Sequence, residues 1–496
     1  MTPLVDQKDR DLIRNALDQS MIVEAAAGTG KTTELVNRIV NVIAEGRAGI
    51  HEIVAVTFTE KSAGELKLRL RSRLEEESEA ARSDDQRCNL RNAAARLEES
   101  HISTIHGFCA DLLRARPVEA CVDPRFESLD EAAARRLYDE AFERWLEEKL
   151  ENPPEGIRRA LRRRSRDDDP TARLRAAGWE LAGWQDYPAP WRRDPFPREA
   201  EINALVERLH RFAELTRSPA KSNDGFYEDT RKARRLSDDI RLIEKVRERD
   251  YDGLEAEFVS FVSYVDEEGR KFRKPRSGFG AEYAEGLRRE QVLAAHLEFL
   301  AAVERFAKLA DADLAALLHH ELNDSIERYN RLKARAGRLD FLDLLLRARD
   351  LIRDCRPVRE EFQRRFKRIF IDEFQDTDPL QVEILLLLAG SDPEVSNWRD
   401  VKPERGKLFI VGDPKQAIYR FRRADLGIYQ RVKELLAGRG ATHVNLTTSF
   451  RSVPSIQNAI NAAFEALMTG DRTTLQAGYV PLSPSREEDG GQPTVV

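Results

Sequence analysis

The run Glu24-Ala25-Ala26-Ala27-Gly28-Thr29-Gly30-Lys31-Thr32-Thr33 gathers two glycines, a lysine and hydroxyl groups into one short loop. Glycine lets backbone N–H groups turn inward onto an anion, and a lysine can meet the β- and γ-phosphates of a nucleotide. A threonine hydroxyl directly after that lysine can ligate Mg²⁺. The spacing follows G-x-x-x-x-G-K-[ST] except at the first glycine, where Ala25 stands and a small residue suffices. Residues Ala25 to Thr33 are therefore the candidate phosphate cradle, with Lys31 at the reacting phosphates and Thr32 on the metal. Far downstream, Asp372-Glu373 directly follows the apolar Arg368-Ile369-Phe370-Ile371. Asp372 can hold Mg²⁺ opposite Thr32, and Glu373 can polarise an attacking water. Together these residues imply a site for a nucleoside triphosphate with its metal ion.

Such groups work only if strands and helices deliver them to one place. Met21-Ile22-Val23-Glu24 reads as a short buried strand, and Leu35, Ile39 and Val42/Ile43 put one apolar face on a following helix. Ile53-Val54-Ala55-Val56-Thr57-Phe58 predicts a second strand. After it, Ser62-x-x-Glu65 reads as a capping box opening a helix with Leu66, Leu70 and Leu74 on one side. Leu408-Phe409-Ile410-Val411 running into Gly412-Asp413 repeats the pattern of Ile371-Asp372, an apolar strand with polar residues at its carboxyl end. Ligands of open parallel sheets sit at such ends. Between Ala110 and Leu339 the chain is rich in Arg, Glu, Ala and Leu and helical in pattern, broken near Gly178–Pro197 and Gly269–Gly280. The expected class is α/β: a first lobe from 1–110 and 340–437, a helical subdomain over 111–339 inserted in it, and a new segment from 438 to 496.

The 496 residues suffice for two or three cores, and the net charge of −6 excludes a simple polycation. Nucleic-acid contact would have to come from local basic surface. The four cysteines show no C-x-x-C spacing, which points to free thiols in a reducing compartment. Met1–Arg14 lacks the apolar core of a signal peptide, and no run of about eighteen apolar residues exists to span a membrane. These features predict a cytoplasmic protein.

Several short elements, in order along the chain, resemble the motifs of superfamily 1 helicases of the UvrD/RecB/AddA type. Ile371-Asp372-Glu373-Phe374-Gln375-Asp376 resembles the family's D-E-[FYA]-Q-D motif, and Val411-Gly412-Asp413-Pro414-Lys415-Gln416-Ala417-Ile418-Tyr419-Arg420-Phe421-Arg422 its third motif. Val56–Ala63 is similar to motif Ia, Ser103–Phe108 to the T-x-H-x-F element, and Leu339–Leu344 to L-D-F-x-D-L. Leu446-Thr447-Thr448-Ser449-Phe450-Arg451-Ser452 resembles motif IV, with Ser449 in place of Asn. The long insertion and the wording around Gly412–Asp425 resemble the RecB/AddA branch, which processes double-strand DNA ends in recombinational repair.

The resemblance implies a RecA-like P-loop lobe interrupted by a helical subdomain, followed by the beginning of a second RecA-like lobe. It implies an ATP-driven DNA helicase using Mg²⁺. Gln7 matches the adenine-reading glutamine, Phe450 the aromatic on the adenine face, Gln416 the γ-phosphate sensor and Arg451 the arginine completing the site. Phe58, His106, Tyr419, Phe421 and Arg422 would lie along a single-strand DNA groove, Phe58 being readable equally as core. A second helicase or nuclease subunit is the implied partner. A UvrD/Rep-like repair helicase and a non-catalytic nucleotide-binding module are the competing readings.

Within the insertion, Arg270-Lys271-Phe272-Arg273-Lys274-Pro275-Arg276 reads either as a solvated loop or as a contact for duplex phosphates. The Arg158–Arg166 run, followed by Asp167–Asp169, reads as a solvated helix face, and Trp179, Trp184 and Trp191 as pins of an irregular core. No V-[TS]-x-H-x-[AS]-K-G-L-E or L-x-Y-V-A-x-T-R-A element follows Ser452, and Gly491–Val496 reads as a strand cut short. The expectation is an amino-terminal part of a longer protein, or else a stand-alone ATP-binding module.

Overall fold

The computed structural model describes residues 4–163, 169–187, 189–221, 223–265, 269, 271–278, 280–419, 423–470 and 476–487. The chain packs as two units, one of residues 1–129 with 337–496 and the other of residues 130–336.

In the first unit, helix α1 (Gln7–Asn15) precedes strand β1 (Met21–Ala25) and helix α2 (Lys31–Ala44). Strand β2 (Ile53–Thr57), helix α3 (Glu60–Ala80), strand β3 (His101–Thr104) and helix α4 (Ile105–Ala115) follow. The inserted unit is helical, chiefly α5 (Glu131–Glu151), α6 (Glu155–Arg162), α7 (Arg198–Leu215), α8 (Tyr251–Ser263) and the 47-residue α9 (Arg289–Arg335). The chain then returns through α10 (Phe341–Asp354), β4 (Arg368–Ile371), α11 (Pro379–Ala389), β5 (Leu408–Gly412), α12 (Leu426–Ala437) and β6 (Thr442–Leu446).

The six strands form one parallel sheet in the order β6-β1-β5-β4-β2-β3. Strand residues alternate between its faces, and both faces are apolar because helices cover both. Ile22, Val54, Val56, Ile369, Ile371, Leu408 and Ile410 join Phe108 of α4, Leu345 of α10, Leu385 of α11 and Val432 of α12 in one core. Met21, Val23, Ile53, Ala55, Phe370, Phe409 and Val411 join Leu35 and Ile39 of α2 and Leu66 and Leu70 of α3 in the other. This is the expected α/β class. Register brings the carboxyl ends level, with Glu24 opposite Gly412 and Ile371 opposite both Val56 and Ile410.

Three sequence boundaries move. The insertion runs from Asp130 to Ala336, not from 111, because Phe108, Cys109, Leu112 and Leu113 of α4 are buried under the sheet. Glu127–Ser128 also pairs with Arg338–Leu339 inside the first unit. In the segment from 438, β6 is the edge strand of the same sheet, paired in parallel along the whole of β1, so the first sheet extends as far as Leu446. Helix α3 opens at Glu60, where the Thr59 side chain accepts a hydrogen bond from the Ser62 amide, so Thr59 and not Ser62 is the cap. The Gly491–Val496 run lies outside the described residues.

In the inserted unit the two basic stretches are solvated only in part. Arg159 is buried, pairing with Glu255 at 2.9 Å and Asp313 at 2.6 Å, while Arg158 and Arg162 stand exposed, so the described part of the arginine run has a buried member beside a solvated face. Arg164–Arg166 lie outside the described residues. Phe272 is fully buried, its ring 4.7 Å from that of Phe261, so the basic loop is anchored by its aromatic and does not present it. Trp179 packs on Tyr138, whereas Trp184 and Trp191 stand half-exposed. Among the described residues no helix is long and apolar enough to cross a membrane.

Candidate nucleotide and DNA site

Strand β1 ends at Ala25 and the chain turns through Gly28 (φ +80°) and Gly30 (φ +87°) into α2. Positive φ favours glycine at both positions. Gly28 is constrained twice, since a Cβ there would stand 2.5 Å from Arg451 Cβ. Gly30 caps α2 without any side-chain hydrogen bond, so the first-turn N–H groups keep their capacity to bind an anion. Thr29 is buried, and its amide and hydroxyl both donate to the Ala26 carbonyl, which holds the loop closed on itself. Ala25, Ala26 and Thr29 therefore shape the loop, while Ala27, Gly28, Gly30, Lys31, Thr32 and Thr33 line its cavity.

That cavity, of about 310 Å³, also receives Glu373 from the end of β4, Gln416 from beyond β5, Arg451 and Arg69. Lys31 Nζ lies 3.1 Å from Glu373 Oε2. Glu373 holds a left-handed backbone (φ +54°, ψ 44°), a strained conformation for a residue with a side chain, and its amide donates to Asp372 Oδ1 at 3.1 Å. Burial and the neighbouring Glu373 charge push the Asp372 carboxyl up to about 6, against the pull of Lys31. Asp376, by burial and the same neighbour, is also raised to about 6. The cluster carries more negative charge than Lys31 alone neutralises.

A second cavity of about 620 Å³ opens beside Gly28 and Gly30, lined by Leu4, Arg10, Arg14, Glu34 and Phe450. Phe450 is 43% exposed, its amide donates to the Gly28 carbonyl at 2.8 Å, and Arg10 lies over its ring at 5.1 Å. Gln7 is not brought into this lining; its amide donates to Asp11 on its own helix. Arg10 takes the inward position on α1 because Asp6, Glu34 and the Thr29 carbonyl all accept from its guanidinium. Asp6 in turn accepts from the Thr447 and Thr448 amides and the Thr448 hydroxyl. The Asp6–Arg10 pair was the missed element, although opposite charges four apart in the chain are a readable signal.

Two aromatic pairs stand beyond the strand ends. Phe58 and Tyr419 rings are 4.4 Å apart, and His106 meets Phe341, itself nearly half-exposed, at 5.1 Å. Phe58 is half-buried and outside both cores, which favours the surface reading over core packing. Burial lowers the His106 imidazole to about 4, leaving it neutral near pH 7. Phe421 and Arg422 lie outside the described residues.

The model of the UvrD/REP helicase N-terminal domain matches residues 5–437. The chain belongs to this helicase family. Curated relatives place it near the RecB/AddA branch. It is 28% identical to an ATP-dependent helicase/nuclease subunit of Listeria welshimeri over 494 residues, covering 90% of this chain and 38% of that protein. The protein of the same name from Syntrophomonas wolfei is 28% identical over 493 residues, covering 92% and 37%. That of Listeria innocua is 29% identical over 486 residues, covering 90% and 38%. The chain thus spans less than two-fifths of the length of these helicase-family relatives.

Proposed function

We propose that this chain binds Mg·ATP at its P-loop and belongs to a DNA helicase that couples hydrolysis to movement along a single strand, acting at DNA ends in double-strand-break repair. The observation that carries this reading is the convergence of Lys31, Glu373, Gln416 and Arg451, from four separate segments, on one cavity. The residues fit a divalent cation: Thr32 lines the cavity and the raised Asp372 carboxyl marks a place short of positive charge. Thr32 and Asp372 would hold Mg²⁺, which neutralises charge on the β- and γ-phosphates when bound.

In this reading Lys31 leaves Glu373 for the phosphates, and the freed carboxylate accepts a proton from the attacking water. Gln416 orients that water, and Arg451 adds charge from beside Gly28. Phe450 and Arg10 sandwich or flank the base. Gln7 contributes only if its amide leaves Asp11. Phe58, His106 and Tyr419 face single-stranded DNA, where stacking tolerates any base, and Phe421 and Arg422 are assigned to the same contact by their motif. The inserted helical unit is available to a duplex end. The names of the relatives support a helicase and nuclease of more than one subunit as the whole assembly, and we assign it to the cytoplasm.

Titration with a fluorescent ATP analogue tests the site. Lys31→Ala should weaken Mg·ATP binding by removing the charge that meets the β- and γ-phosphates, and equal affinity of wild type and variant would sink the assignment. Tyr419→Ala should lose about 1–3 kcal/mol of single-strand DNA affinity, with no sequence preference in wild type or variant. Unchanged DNA affinity in a folded variant would remove Tyr419 from the groove.

A further inference from the structure

We infer that Gln375 is a positioning residue that holds the Glu373 carboxylate and ties it to the loop after β5, so that the setting of that loop is felt at the general base. The inference rests on the proposed ATPase reading for its functional consequence, but its structural core does not. Gln375 is 2% exposed in the turn Phe374–Asp376, and both ends of its carboxamide are used. Its Nε2 donates to Glu373 Oε2 at 2.8 Å and to Asp376 Oδ2 at 3.2 Å. Its Oε1 accepts from the Asp413 amide at 2.9 Å. Only one orientation of the amide works, because the reverse would set oxygen against two carboxylates and nitrogen against an N–H.

Asp413 carries the connection onward. Its Oδ2 accepts from Gln416 Nε2 at 2.7 Å, and its Oδ1 from the Lys415 amide at 3.2 Å. Glu373, Gln375, Asp413 and Gln416 therefore form one unbroken hydrogen-bonded chain, and the same loop continues to Tyr419 and its pairing with Phe58. The packing around the amide is close: a Cβ on Gly412 would lie 3.0 Å from Gln375 Oε1 and 3.3 Å from the Tyr429 ring. Glu373 Oε2 is shared between Lys31 and Gln375. When phosphate takes Lys31, Gln375 keeps hold of a carboxylate whose strained backbone needs such fixing. A group that can donate to Glu373 while accepting from Asp413 is a carboxamide; an ionised carboxylate cannot donate and an alkyl group can do neither.

Two measurements on the full chain test this. In nucleotide-free protein, Gln375→Met should speed hydrogen exchange of the Asp413 amide roughly tenfold, the loss of one buried hydrogen bond. In steady-state ATP hydrolysis with single-stranded DNA, the same variant should lower kcat at least about tenfold while the KM for ATP stays within about twofold. Gln375→Glu adds a signature that simple destabilisation lacks. Its carboxyl, buried beside Glu373 and Asp376, would be protonated at low pH and donate again, so its rate relative to wild type should recover as pH falls. An unprotected Asp413 amide in wild type, an unchanged kcat in Gln375→Met, or a Gln375→Glu to wild-type ratio flat across pH would each overturn the inference. Failure of wild type to bind Mg·ATP would count against the proposed function alone, since the exchange measurement decides the Gln375 contact without nucleotide.

Discussion

At the scale of single residues the site is defined by carboxylates that are short of positive charge. Asp372 is held up to about 6 by burial first and by Glu373 second, with Lys31 the opposing influence. Because its folded value lies above the ordinary carboxylate value, its contribution to stability is present at low pH and is lost as pH rises through about 6. A divalent cation reverses this by favouring the ionised form. Mg²⁺ should therefore raise the melting temperature above pH 6 and lose that effect below it, as protons compete for Asp372. Thermal melts across about pH 5 to 7, roughly one unit either side of this value, with and without Mg²⁺, check the sign. A Mg²⁺ effect that grew on acidification would remove Asp372 from the metal site.

At the scale of elements, α1 is fastened to the segment after β6 by a buried charge cluster. Burial raises the Asp6 carboxyl, but hydrogen bonds from Arg10 and from the Thr448 side chain and amide outweigh it and hold it at about 2. A folded value below the ordinary one adds stability at neutral pH that is lost as pH falls from about 4 toward 2. Asp6→Asn should cost about 3 kcal/mol, since it leaves Arg10 and two amides short of their partner. It should also flatten the acid side of the stability profile in denaturant titrations. The same change should weaken nucleotide binding, because Arg10 over Phe450 and Phe450 on Gly28 line the second cavity. Full stability at pH 7 in Asp6→Asn would show that the cluster contributes little.

At the scale of the whole molecule, each of the two units has cores of its own, the sheet unit with one on either face and the inserted unit around Phe258, Phe261, Phe272 and Phe299 and around Trp145 and Tyr138. Truncating Phe272, fully buried among aromatic rings, should cost roughly 3–5 kcal/mol. If the units are thermodynamically separate, Phe272→Ala lowers the stability of residues 130–336 by hydrogen exchange while Mg·ATP affinity stays within experimental error. A parallel loss of nucleotide affinity would join the units into one cooperative structure.

Much of the lining of the cavity at the glycine loop was legible in the chain itself, because it comes from contiguous residues: a glycine loop after a buried strand, and two acids after another. Strand faces were equally legible, since alternation along Ile53–Val56 or Leu408–Val411 is a local property that the sheet merely reads out. What the chain could not disclose is which distant groups meet. Gln7 and Arg10 share one helix, and only the position of Glu34, Thr29 and Thr448 turns Arg10 inward and leaves Gln7 with Asp11. Thr442–Leu446 looks like the opening of something new, and only its pairing along β1 makes it the edge of the first sheet. Phe272 sits in a basic, loop-like stretch, and only long-range packing puts it in a core. Local sequence determines what a group can do; partners far apart in the chain determine whether that capacity is spent on the fold or left facing the site.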